Sequence, residues 1–155
     1  MWEVLATDIS AAALNLAKEN AHLNEVDCVF CVHDALDETD ALGMEAPVNI
    51  FVSNPPYIPF SEHATMHPNV IQHEPHMALF VPDNDPLVFY RKILGLMDKY
   101  GAANAQVYFE IHEGLTSQVV QLFEENGFSN TEIRKDLQGK SRMIKAQRLS
   151  LSNES

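Results

Sequence analysis

Short apolar runs punctuate this chain, and stretches of helical period fill most of the space between them. Residues 2–7, 28–32, 48–53 and 106–111 read as strands: each is brief, apolar or β-branched, and bounded by polar or turn-forming residues. Residues 128–134 and 143–148 read as a last strand pair turning at Gly139. Ser10 is placed to cap a helix over 11–22, with Leu14, Ala17 and Ala21 on one face. Pro86 suits the first turn of a second helix, 87–100, whose stripe of Val88, Ile93, Leu94 and Met97 faces a core. A third helix, 115–126, is closed by Gly127. Residues 60–86 follow neither period and read as one long irregular segment. Loops of that length in a compact domain are functional or mobile, so a substrate-facing lid is expected there. From Leu149 onward the chain reads as frayed.

The run over 53–59, SNPPYIP, interrupts this pattern most sharply. Two consecutive prolines cannot continue a central strand, because neither donates an N–H and each fixes φ near ~−65°. Asn54-Pro55-Pro56-Tyr57 is therefore a stiff loop at the carboxyl end of a strand, where open α/β sheets place their ligands. Its chemistry is specific. The Asn54 side-chain oxygen and the Pro55 carbonyl are both acceptors. Aimed at the two hydrogens of one NH₂ group, they hold a planar, poorly nucleophilic nitrogen still and favour the geometry of attack, with Tyr57 as a ring wall. The same tetrad also suits a rigid surface turn, since Asn-Pro and Pro-Pro are common turn formers.

Two carboxylates also sit where strands end. Asp8 precedes the first helix, a place from which a carboxylate can accept both hydroxyls of a ribose, or can simply favour the helix N-terminus. Asp34 follows the second strand. Asp37, Glu38 and Asp40 then form a solvated acidic connection.

Composition narrows the partners. At 155 residues and 46% hydrophobic, the chain is about one domain with enough apolar material for a core. Its net charge of −12, from 22 acidic and 10 basic residues, argues against a phosphate backbone as the main partner and permits a basic protein. No apolar run approaches the ~20 residues of a membrane span and the first residues lack a signal-peptide pattern, so a cytoplasmic protein is expected. Cys28 and Cys31 have Cys-x-x-Cys spacing, but on a strand they face opposite sides and no second pair completes a zinc site; reduced thiols are expected. His63, His67, His73, His76, Glu62 and Glu74 invite a metal reading. Proline excludes the helical HExxH arrangement, and no metal is expected.

Taken together, Ala6-Thr7-Asp8-Ile9-Ser10 with Ala13-Leu14 and Ala17, Asn20, Asp34, the SNPPYIP run, Glu74-Pro75 before Ala78-Leu79, Asp85 with Phe89-Tyr90-Arg91, and Asp136-Leu137 with Gly139 and Arg142 resemble one family. It is the HemK-like (PrmC) peptide chain release factor glutamine methyltransferases. The resemblance implies an α/β, Rossmann-like S-adenosylmethionine-dependent methyltransferase fold, with a mostly parallel sheet and an antiparallel terminal strand. It implies that Asp8 binds the ribose of S-adenosyl-L-methionine, that Asp34 lies near its adenine, and that Asn54 adjoins the cofactor. Asn54, Pro55, Pro56 and Tyr57 would hold the substrate amide, the glutamine of the GGQ loop of class 1 release factors. Glu74 matches the family's Glu-Pro pair without an assigned role.

Departures from the family carry their own expectations. Its members have a strand and a glycine-rich loop before the position of Asp8, and a helical N-terminal domain. The family's Asp-Gly-Leu reads Asp85-Pro86-Leu87 here. The expectation is an N-terminally truncated form, 1–148 a partial catalytic domain and 149–155 a tail, with weak or no cofactor binding. Two apolar strand edges would be bare, free to pair with each other or with another chain in a homo-oligomer. Two other readings stay open: a nucleic-acid amino-methyltransferase acting on adenine or guanine, and a non-catalytic remnant serving as an assembly module.

Overall fold

Each apolar run does become a strand, and each helical period a helix. The structure, a computed structural model, describes residues 3–37, 42–44 and 47–148. It divides into two units, Met1–Glu45 and Ala46–Ser155. The proposed tail, 149–155, and the acidic residues Glu38 and Asp40 lie outside the described residues.

In the first unit, strand β1 (Leu5–Asp8) leads through helix α1 (Ala11–Leu23) to strand β2 (Val29–Val32). The two strands pair in parallel, Leu5 opposite Val29 and Asp8 opposite Val32, and α1 supplies the crossover that a parallel pair needs. Ser10 caps α1 as its sequence position foretells, its hydroxyl oxygen accepting the Ala13 N–H at 3.2 Å. Leu14 is buried, with Ala17 and Ala21 half-buried beside it on the same face. Cys28 stands just before β2 rather than within it, and both cysteines are free thiols.

The second unit is built on strand β3 (Val48–Ser53). After it come the two-residue strand β4 (Ile58–Pro59), helix α2 (Pro68–His73) and the two-residue strand β5 (Phe80–Val81). Helix α3 (Val88–Tyr100), strand β6 (Gly101–Glu110), helix α4 (Thr116–Glu125) and the hairpin of β7 (Phe128–Lys135) and β8 (Ser141–Arg148) complete it. The main sheet has the order β3-β6-β8-β7, parallel between β3 and β6 and antiparallel thereafter. Alternate residues of β6 and its extension, Ala105, Val107, Phe109 and Ile111, are at most 1% exposed. They form one period-two face packed with Tyr90, Leu94 and Met97 of α3 and Val119 and Phe123 of α4. The Phe109 and Phe123 rings meet edge to face at 5.6 Å. Gly127 (φ +76°) and Gly139 (φ +83°) occupy left-handed turns, at the end of α4 and in the β7–β8 hairpin, where a Cβ would be strained.

Residues 60–86 are not irregular, contrary to the sequence pattern. Turns of 3-10 helix at Phe60–Thr65 and His76–Ala78 flank α2, and β4 and β5 pair in parallel. Elements of two to six residues are too short to display a period. Three of the four histidines there pack or cap. His63 and His76 join Phe60 and Phe80 in a ring cluster with centroids 5.4–5.6 Å apart. The His67 ring nitrogen Nδ1 accepts the Asn69 N–H at 3.3 Å. β6 also begins earlier than its apolar pattern suggests, at Gly101 instead of residue 106, because Gly101-Ala102-Ala103-Asn104-Ala105 has little strand propensity and is carried by pairing.

β3 is an edge strand, and Ile50 and Val52 are 42% and 77% exposed. Among the described residues, β1 pairs with β2 and β3 with β6. Among the described residues, no helix is long and apolar enough to cross a membrane.

Candidate functional site

β3 and β6 run in the same direction, with Ser53 opposite Phe109, so the Asn54 loop leaves the sheet beside Glu110 at the end of β6. Pro55 is buried, which anchors the turn, while Asn54 is exposed at the rim. Between them and the segment across from them lies a cleft of about 60 Å³, lined by Asn54, Pro55, Tyr57, Ile58, Ala78 and Leu79. That is room for a few waters or a side-chain carboxamide. The Ile58 N–H donates to the Leu79 carbonyl at 3.0 Å and closes the cleft's far side. Pro56 is half-buried and is not among the lining residues; its contribution is the fixed φ of the turn.

Tyr57 is the most constrained member of the tetrad. Its hydroxyl donates to Glu110 Oε1 at 2.6 Å. Burial, then the Glu110 carboxylate that accepts this bond, pushes the Tyr57 phenol up to about 12. From α3, the Tyr90 hydroxyl donates to the Glu110 backbone carbonyl at 3.0 Å, and burial raises that phenol further still. The His112 ring stands 6.2 Å from the Tyr57 ring. Its Nδ1 accepts the Gly114 N–H at 3.1 Å, so in the neutral ring Nε2 carries the proton and donates to Glu62 Oε2 at 3.2 Å. That contact ties the 60–65 turn to the end of β6.

Of the residues the sequence nominated, Asn54, Pro55 and Tyr57 share one cleft. In the first unit, Asp8 is the last residue of β1 and Asp34 follows the end of its parallel neighbour β2. Asp8 Oδ1 accepts the Ser10 N–H at 2.7 Å, so its helix-start role is real. Asp34 Oδ1 likewise accepts the Leu36 N–H at 2.9 Å. One oxygen of each carboxylate thus steadies the loop, and the other has capacity for a further donor. Glu74 is exposed at the end of α2. Sequence reasoning gave no site role to Glu110, His112, Ala78 or Leu79. A carboxylate ending a strand, as Asp8 does, is the one local signal that could have flagged Glu110.

Parallel strands joined by helices and followed by an antiparallel hairpin are the elements of the S-adenosylmethionine-dependent methyltransferase fold. A solved methyltransferase from Pyrococcus furiosus superposes with a TM-score of 0.64 over 95% of this chain and 63% of its own, at 12% identity, a likeness of fold alone. Residues 1–77 match the methyltransferase small domain family. The release factor glutamine methyltransferase of Flavobacterium psychrophilum is 47% identical over 142 residues, 92% of this chain and 49% of the relative. That of Bacteroides thetaiotaomicron is 36% identical over 146 residues, covering 94% and 52%. By sequence the chain is similar to the release factor glutamine methyltransferases, and it spans about half the length of the curated relatives it matches.

Proposed function

We propose that this protein takes part in S-adenosylmethionine-dependent methylation of a glutamine side-chain amide, that of the GGQ loop of class 1 release factors. Residues 1–148 are read as a partial catalytic domain for that reaction. The observation that carries this reading is the cleft beside buried Pro55, with the Asn54 amide exposed at its rim and the Tyr57 ring as its wall.

The Asn54 oxygen and the Pro55 carbonyl oxygen accept the two hydrogens of the substrate NH₂, fixing its nitrogen with the lone pair outward. Tyr57 confines the plane of the amide, and Pro56 keeps the turn from adapting to other shapes. The methylated nitrogen is strongly acidic and sheds its proton to water, so the reaction requires no dedicated base. Asp8 and Asp34 fit the cofactor's ribose and adenine, each offering an oxygen not used by its own loop. When bound, the cofactor supplies an electrophilic methyl group. The acidic surface, −12 overall, favours a protein partner over a nucleic acid, and the small cleft suits a carboxamide better than a purine. A cytoplasmic setting and self-association through bare strand edges belong to the same reading.

The test pairs calorimetry with S-adenosylmethionine and a methyl-transfer assay offering a class 1 release factor and an oligonucleotide in parallel. Weak or absent cofactor binding is expected for these residues alone, and transfer by the full-length protein to the release factor only. Transfer to the oligonucleotide alone would overturn the substrate assignment.

A further inference from the structure

A phenylalanine at position 57 would wall the cleft as well as a tyrosine, yet the hydroxyl present is tethered. It donates to Glu110 at 2.6 Å, in the range of a charge-assisted bond, and the Arg142 guanidinium places a positive charge near the same phenol. Both partners are themselves held. The Glu110 backbone carbonyl accepts from Tyr90, whose side chain is wholly buried. The Arg142 backbone carbonyl accepts the Ile111 N–H at 2.8 Å, and its guanidinium lies 3.5 Å from Asp136. The tether therefore runs from the α3–β6 core, through the Glu110 side chain, to a ring 53 residues away in sequence.

We infer that Glu110 is a positioning residue: through the Tyr57 hydroxyl it sets the width of the cleft between that ring and the Asn54-Pro55 acceptors. The consequence for amide binding rests on the reading proposed above; the tether itself does not. A cleft that must hold a planar group against two acceptors loses productive geometry when one wall drifts by about an ångström.

The experiment uses the full chain labelled with ¹³Cζ-tyrosine. The Tyr57 signal is assigned by its loss in Tyr57→Phe, and a glutamine-bearing Gly-Gly-Gln peptide is titrated as ligand. At about pH 11, a phenol titrating near 12 is only about a tenth ionised, whereas one released toward 10 is about nine-tenths ionised. The Tyr90 signal, un-ionised while the core is intact, shows that the fold persists. Glu110→Ala is expected to shift the Tyr57 signal at neutral pH, lower its titration midpoint and weaken the peptide several-fold. Glu110→Gln keeps an acceptor without the charge, so it should restore the neutral-pH signal and the peptide affinity while still lowering the titration midpoint. An unmoved Tyr57 signal in Glu110→Ala would overturn the inference. If that variant fails to fold, an unmoved midpoint in Glu110→Gln does the same. Peptide binding absent from the unaltered chain, with Tyr57 responding as expected, would refute the amide-cleft reading and leave the tether standing.

Discussion

The backbone N–H of Ile58 donates to the carbonyl oxygen of Leu79 at 3.0 Å, stitching the strand that leaves the Asn-Pro-Pro-Tyr loop to the segment that faces it. Ala78 and Leu79 line the cleft, and this bond and the β4–β5 pairing it begins help to hold them there. Ile58→Pro removes the donor. One backbone bond is worth about 0.5–1.5 kcal/mol net. Amide exchange at Ala78 and Leu79, whose N–H groups bond to Pro75 and His76, should therefore quicken several-fold while exchange in β6 holds. Unchanged exchange would mean that the segment is fixed by something else.

Gly101 marks where α3 gives way to β6. A Cβ built there would come within 2.5 Å of the Met97 carbonyl oxygen, which is backbone and already accepts from Arg148 at 2.9 Å. Gly101→Ala must displace one of them and should cost about 1–3 kcal/mol in urea denaturation. A loss below about 0.5 kcal/mol would show that the α3–β6 junction yields freely.

The Tyr57 and Tyr90 phenols are both raised by burial. A raised phenol favours the folded state while it is protonated. This contribution is fully present below about pH 10 and is lost as pH climbs through about 12 for Tyr57. Stability measured by urea midpoint should fall over that window, and Tyr57→Phe should lose less of it than the unaltered protein. Parallel alkaline curves would contradict the burial of the hydroxyl against Glu110.

Helix α1 hangs on Ser10, whose hydroxyl caps Ala13 while its own N–H is held by Asp8. Ser10→Ala should cost the first unit about 1 kcal/mol, read as faster amide exchange at residues 11–14. Exchange that stays slow there would show that Asp8 alone secures the helix start.

Local chemistry made much of this legible. β3 runs over the residues its apolar pattern marks and β2 over all of them but Cys28, while α1 starts at its Ser10 cap and α4 ends before left-handed Gly127. The Asn54 loop was legible because two prolines after a strand leave few conformations. What could not be read was set by pairing at a distance. β4 and β5 are two residues each and exist only as a pair across 20 residues of chain, so neither has a pattern of its own. Glu110 and Arg142 look like ordinary strand-end and hairpin charges until folding brings Tyr57 to them.

The central claim is that Asn54 holds the acceptor amide while taking little part in holding the cofactor. Its most direct test is methyl transfer to a class 1 release factor by the full-length protein and by its Asn54→Ala variant, with S-adenosylmethionine affinity measured alongside. Loss of one such positioning contact predicts a fall in turnover of about 100-fold or more, with cofactor affinity changed by less than about threefold. Turnover within about threefold of the unaltered protein would contradict it.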